Sequence, residues 1–252
     1  MCCAQRASPE DLKSAEGVPA DGVPADGGDQ SSADRVVMHI QQGILNGRLV
    51  PGQRLIEGDL TQSIGVSRGP VREAFRRLEA LGVVAQTPHK GACVRALTRQ
   101  EASDLLIAVE PLSGLMASLA ANQIADGALP ADRMKKAERW LRPYLGGEED
   151  EAHLLDQRRH FYDVLMEIGA NSQLPSLLPT LRIHVLRLQV HSFLGMEDRR
   201  RHLKDYAEIA SAVLAGDAKR AEKAMRQHIH RMRKALEALA DSVFPRPTRL
   251  ED

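Results

Sequence analysis

Ile64-Gly65-Val66-Ser67-Arg68-Gly69-Pro70-Val71-Arg72-Glu73-Ala74-Phe75-Arg76-Arg77-Leu78-Glu79 is the stretch on which the fold of the first half turns. Val71, Ala74, Phe75, Leu78 and then Leu81 recur at spacings of three and four, one apolar stripe of a helix from Arg68 to about Leu81. Gly65-Val66-Ser67 breaks the chain before it, Ser67 suits the N-cap position, and Gly82 stops the helix. Arg68, Arg72 and Arg76 stand four residues apart beside the stripe, not on it. Packing the stripe inward therefore turns the three arginines outward.

Working outward, Val36, Val37, Ile40, Ile44 and Leu45 mark a helix that begins at Asp34 and stops at Asn46-Gly47. Val50-Pro51-Gly52 is a turn, and Ile56 to Ile64 a short helix with Leu60 and Ile64 inward. Beyond Gly82 the period shortens. Residues 83–86 and 92–95 read as two strands joined by the loop Thr87-Pro88-His89-Lys90-Gly91. Three helices and a hairpin make a winged helix-turn-helix over residues 31–96. In that architecture the last of the three helices enters the major groove of DNA. There Arg68, Arg72 and Arg76 would bond guanine or neutralise phosphate. Gly69 would let the backbone approach, and the Ser67 hydroxyl would cap the helix or meet a phosphate. His89, Lys90 and Gly91 would carry the wing tip to the minor groove or a flanking phosphate. A solvated arginine face accounts for each residue singly; the order helix, break, arginine row, hairpin favours DNA.

Charge follows the same division. The 252 residues are neutral overall, with 34 basic and 34 acidic side chains. Residues 31–96 hold nine basic and five acidic residues, 9 − 5 = +4, whereas residues 1–30 hold two and six, 2 − 6 = −4. That leader repeats Val18-Pro-Ala-Asp-Gly22 as Val23-Pro-Ala-Asp-Gly27 and has little to bury, so it reads as disordered. Cys2, Cys3 and Cys93 form no CxxC pair. A disulfide framework is thereby excluded and a reducing, cytoplasmic compartment expected. No apolar run of membrane-spanning length is evident, and no membrane partner is expected.

From Thr98 the pattern is helical. Thr98-Arg99-Gln100-Glu101 is a capping box, Pro111 should kink or split the first segment, and breaks near 126–130, 146–150, 169–175, 195–198 and 216–217 leave six or seven helices. Residues 97–242 thus form an all-α helical bundle, with 243–252 a tail, and the chain as a whole is mostly α. Asp156 and His160 are four apart, His160 in line with Val164 and Ile168. Tyr206 is in line with Ile209, Ala210 and Val213, and His228 shares the face of Ala221, Met225 and Met232. Polar groups on inner faces need partners or a polar cavity. An Asp at i, a His at i+4 and a His from another helix is also a divalent-metal pattern. Arg182 and His184, on a helix from Leu178 to Leu188, are further effector candidates, equally readable as surface residues.

Gly47 to Glu57 (Gly-Arg-Leu-Val-Pro-Gly-Gln-Arg-Leu-Ile-Glu) together with Ile64 to Glu79 resembles the GntR family of regulators, Gly69-Pro70 standing where the family usually has Thr-Pro. With the helical second half, the chain resembles the FCD subgroup over about residues 34–240. The resemblance implies base and phosphate contacts from Arg68 and Arg72 and a wing tip at Lys90-Gly91. It also implies a divalent metal (Zn or Ni) held by one Asp and three His. Asp156, His160 and His228 match three of these, while Tyr206 replaces the remaining His and His202 lies one turn before it. Tyrosine, with a hydroxyl pKa of about 10, is a poor neutral ligand for such ions. A metal-free pocket in which Tyr206, Arg182, His160 and His228 hold the effector is the other outcome. An arginine usual in the first FCD helix corresponds to Val109 here.

The function expected is a sequence-specific DNA-binding transcription regulator, a repressor in the first instance. It would bind a two-fold operator as a homodimer under control of a small-molecule effector, an organic acid or, as the outlying option, a fatty acyl-CoA. Two alternatives stay open at this point. One is a metal-dependent hydrolase carrying a DNA-targeting domain, against which no general base stands in place and no catalytic residue is assigned. The other is a DNA-binding protein whose helical half only dimerises.

Overall fold

The computed structural model describes residues 31–87, 91–127, 131–145 and 151–245. The leader 1–30 and the wing-tip residues His89 and Lys90 lie outside them.

The first helix, α1 (Ser32–Leu45), starts two residues before its expected start at Asp34. Ser31 forms a reciprocal capping box with Asp34, the Ser31 hydroxyl accepting from the Asp34 N–H. It buries Val36, Ile40 and Ile44 against α2 (Glu57–Ile64) and α3 (Arg68–Ala80), the latter contributing Val71, Ala74, Phe75 and Leu78. The strands β2 (Val84–Thr87) and β3 (Gly91–Val94) pair antiparallel, Val84 opposite Val94 and Thr87 opposite Gly91. β2 begins one residue later than expected because the Val83 N–H bonds the Leu78 carbonyl at 2.9 Å and so still closes α3. A third strand, β1 (Arg54–Leu55), pairs with the other side of β3 in the order β1-β3-β2. At two residues it is too short to show a period.

Seven α-helices follow among the described residues. The central one is α4 (Arg99–Ala125), begun by the Thr98–Glu101 capping box. Around it stand α5 (Asp132–Leu145), α6 (Glu151–Gly169), the single turn α7 (Leu174–Leu177), α8 (Thr180–Val190), α9 (Met196–Leu214) and α10 (Ala218–Ala238). Contrary to expectation, Pro111 does not split α4. Its missing N–H deprives only the Ile107 carbonyl, and both residues sit on the exposed side, where solvent can serve that oxygen. By length and composition alone α4 is apolar enough to cross a membrane, again against expectation, but half of its most apolar window is buried within the protein. It packs against α6, α9 and α10. Gly216, at φ +69°, closes α9. A Cβ there would stand 2.9 Å from that of Ala125, so backbone conformation and close packing both demand glycine. Asp217 then caps α10 by accepting from the Arg220 N–H.

One helix belongs to both halves. Val185 is buried in the core of the winged helix, with Leu181 and Leu188 packed alongside, whereas Ile183, Leu186 and Val190 lie in the core of the bundle. Gln189 secures the connection: its side-chain amide accepts from the Leu97 N–H at 2.9 Å and donates to the Leu97 carbonyl at 2.9 Å.

The C-terminal tail starts later than residue 243. Phe244 is buried in the bundle core under the Arg99 guanidinium, 4.6 Å from its ring centroid. Arg99 also donates to the carbonyls of Leu236 and Leu239, both at 2.6 Å. The short helical turn Asp241–Val243 brings Phe244 back to this cation. Phe244→Ala should lower stability by about 3 kcal/mol through the cavity it leaves. The urea unfolding midpoint of the variant checks this.

Candidate DNA-binding surface and effector pocket

The sequence stripe places α3 as expected, with its apolar face on α1 and its arginines outside. Ser67, Arg68, Gly69, Arg72 and Arg76 are all exposed. Ser67 occupies the N-cap with extended backbone, but its hydroxyl makes no capping bond, which leaves it available to a phosphate. A Cβ on Gly69 would meet nothing within 4 Å, so the backbone here faces open space. Arg72, its side chain 62 % exposed, rests on Glu57 of α2 at 3.1 Å. Arg76 rests on Glu73, and Arg77 bridges Glu73 and Asp34. Sequence reading missed Glu57: it precedes Arg72 by fifteen residues, and only the turn between α2 and α3 brings them together. Such exposed pairs contribute only ~0.2–1 kcal/mol, so Arg72 can exchange its partner at little cost. Gly91, the described residue of the wing tip, is exposed at φ +81°.

In the bundle, α9 and α10 bring three rings together. The Tyr206 and His228 centroids are 4.8 Å apart and those of His202 and His228 5.4 Å apart. His228, 1 % exposed, is oriented by Asp205: its Nδ1 lies 3.1 Å from Asp205 Oδ2, and Arg231 donates to the same carboxylate at 2.6 Å. A carboxylate only accepts, so Nδ1 carries the proton. Nε2 then presents a bare lone pair with no hydrogen-bond partner. Burial pushes the His228 pKa down, although Asp205 opposes this. It drives His202 to about 3, helped by the charges of His228 and Arg158. Burial of Asp205 resists its ionisation, but the bonds from His228 and Arg231 outweigh that and hold its pKa below the ordinary value. Both histidines are therefore neutral near pH 7.

Two buried arginines border these rings. The Arg158 guanidinium lies 5.9 Å from the Tyr206 ring centroid, and that of Arg187 lies 4.5 Å over Tyr162, whose centroid is 6.1 Å from that of Tyr206. Sequence reading missed both, because an arginine within a helix usually marks a surface. The available signal was periodic: His184, Arg187 and His191 recur at i, i+3 and i+7 along α8 and the 3-10 turn that follows it, and all are buried.

The other candidates separate. His160 is half-buried on α6. Asp156 precedes it by one turn of that helix, its side chain outside the described part. Arg182, the remaining effector candidate, is half-buried on α8. It stands at the junction with the winged helix, where a Cβ on Gly82 would lie 3.2 Å from Arg182 Nε and 3.4 Å from an Arg95 terminal nitrogen. His184 is buried, not a surface residue, and its pKa is pushed down to about 4, first by burial and then by Arg187 and Arg159. Among the described residues no three His, Cys, Asp or Glu side chains converge as metal ligands. The His228 Nε2 has no hydrogen-bond partner, and the Arg158 and Arg187 side chains are buried nearby.

Comparison with known proteins agrees with this division. Residues 32–94 match the family model described as bacterial regulatory proteins, gntR family, and residues 101–231 match that of the FCD domain. The chain is similar to the Escherichia coli HTH-type transcriptional repressor GlaR, at 28 % identity over 75 % of this chain and 89 % of that one. It is also similar to a probable D-xylose utilization operon transcriptional repressor of Paenarthrobacter nicotinovorans, at 29 % identity over 78 % of this chain and 83 % of that one. The solved structure of E. coli McbR/YncC shares the fold, with TM-score 0.68 and 18 % identity over 82 % of this chain and 97 % of that chain. These relatives are regulators, not enzymes, which removes the hydrolase alternative. With over half its length in the FCD match and a winged helix before it, the chain belongs to the FCD-containing GntR family of bacterial transcription regulators.

Proposed function

We propose that the protein is a repressor that binds a two-fold operator as a homodimer and is controlled by an anionic small molecule held inside the helical bundle. The observation that carries this reading is an exposed arginine row and a buried polar set in two cores that share α8. On one side an exposed arginine row stands on α3; on the other lies a buried set of neutral rings and guanidiniums. Two of the chain's relatives are named as repressors, which supports that sign of regulation.

On DNA, α3 enters the major groove. Arg72 moves from Glu57 to a base or phosphate, Arg68 and Arg76 flank it, and Ser67 and the backbone at Gly69 approach a phosphate. His89 and Lys90, which precede Gly91 in the chain, would reach the adjacent backbone. In the bundle, Tyr206 and His228 meet the effector. The Nε2 lone pair accepts from a hydroxyl or acid proton, and Arg158 and Arg187 supply the positive charge that a carboxylate needs. Val109, buried in apolar surroundings, offers no guanidinium in the first bundle helix, and these two arginines take that part from α6 and α8. A divalent ion held by Asp156, His160 and His228 is the competing arrangement; the field of the two arginines favours the metal-free one.

Arg72→Ala should weaken operator binding by roughly 10- to 100-fold and leave thermal stability nearly unchanged, because its present partner is an exposed carboxylate. Fluorescence anisotropy with operator DNA checks this, and unaltered affinity removes α3 from the groove. Organic acids should raise the melting temperature of the purified protein equally before and after chelation. Loss of the shift on chelation would instead support an ion held by Asp156, His160 and His228. Absence of any shift would leave the bundle a dimerisation domain.

A further inference from the structure

Eight arginines stand in residues 31–96. Five of them hold an acceptor: Arg35 the Ile64 carbonyl, Arg72 Glu57, Arg76 Glu73, Arg77 both Glu73 and Asp34, and Arg95 Glu101. Among the described residues Arg48, Arg54 and Arg68 hold none. Arg68 already belongs to the α3 row. Arg48 follows Gly47, where a Cβ would stand 4.0 Å from Leu188 of α8, so its turn lies beside the bundle. Arg54, on β1, is the free cation that neither α3 nor the bundle accounts for.

Its direction is set by the strand. Leu55 is buried in the core of the module, so the alternation along β1 turns Arg54 to the outer face of the sheet, where it is exposed. In the ladder Arg54 stands opposite Cys93. Its guanidinium nevertheless lies against Gly91, two residues nearer the loop end of the hairpin. A Cβ on Gly91 would be 3.8 Å from Arg54 Nη2 and 3.9 Å from its Nε. The side chain thus runs along the wing toward its tip. Arg54 and Gly91 also line, with Glu57, Phe75, Glu79 and Gln86, a cleft of ≈ 720 Å³ between α3 and the wing. With α3 in the major groove, the sugar–phosphate strand bordering that groove must cross between α3 and the wing. Both carboxylates on the wall are engaged elsewhere, Glu57 with Arg72 at 3.1 Å and Glu79 with the Gln86 side-chain amide at 2.8 Å.

We propose that Arg54 is a DNA contact in its own right: it holds a phosphate of the strand that passes between α3 and the wing, and so fixes the register of the module on the duplex without reading a base. A guanidinium matches a phosphate with two parallel N–H···O bonds, and the pairing releases condensed counterions. β1 leads through Ile56 directly into α2, and it pairs with β3 of the wing. An anchored Arg54 therefore ties the wing and the α2–α3 pair to one point on the backbone. The inference rests on the winged helix binding DNA and is independent of effector control.

The probe is a duplex selected from a random pool by the full-length wild-type protein, its affinity followed by fluorescence anisotropy across a salt series. Arg54→Ala should weaken binding roughly tenfold and flatten the slope of log affinity against log salt by about one for each protomer bound. The loss should be equal on duplexes with single base-pair changes, since every sequence offers the phosphate. Arg54→Lys, which keeps the charge, should stay within about threefold of wild type and keep its slope. Arg48→Ala, which removes an equally free arginine beside the bundle, should change neither. Arg54 has no partner to lose, so melting followed by circular dichroism should be unaltered in all three variants. Arg54→Ala binding within about twofold of wild type at the same slope overturns the proposal; if Arg72→Ala is weakened in the same assay, the DNA-binding reading stands without it. An equal flattening by Arg48→Ala also overturns it, reducing the effect to net charge. Loss confined to one base pair overturns it by making Arg54 a base reader. A wild-type protein that selects no duplex overturns the proposal and the DNA-binding reading together.

Discussion

The structure depends on the sharing of α8 between two hydrophobic cores. Val185 faces the winged helix, and Ile183, Leu186 and Val190 face the bundle, so eleven residues of one helix serve both. Protein cores are close-packed and respond to displacement in discrete steps. A helix that is part of two cores cannot shift in one without disturbing the other. The Gln189 clamp on Leu97 adds to this by fixing the segment through which the chain passes from one module to the next. The regulatory reading needs such an element, one that a ligand in the helical half can bias and the DNA-binding half must follow.

Charge is distributed to the same end. The arginines of α3 rest on carboxylates that DNA can displace, whereas those of the bundle are buried among aromatic rings. His228 is held in one tautomer by Asp205, which leaves the opposite ring nitrogen facing the interior. The Tyr206 ring stands beside it, 4.8 Å between centroids.

Much of this was legible in the sequence, and the failures have physical causes. The α3 stripe, the turn at Gly65, the Thr98 capping box and the Gly216-Asp217 corner are local features, set by residues within a turn or two of each other. β1 escaped because its partner strand is nearly forty residues away and two residues carry no period. Pro111 misled because the cost of a helical proline depends on whether the deprived carbonyl faces solvent, which the sequence does not show. Arg182 and Arg187 are five residues apart on one helix, yet one stands at Gly82 and the other inside the bundle over Tyr162. Telling them apart requires the direction of each face, and α8 is buried over most of its length. The pairing of Asp205 with His228 joins two helices and leaves no local trace.

The central claim, that α8 makes the winged helix and the bundle one cooperative structure, is tested most directly by scanning calorimetry of the full-length protein without ligand. The account predicts a single transition whose calorimetric and van't Hoff enthalpies agree. Two resolved transitions, one for each module, would contradict it.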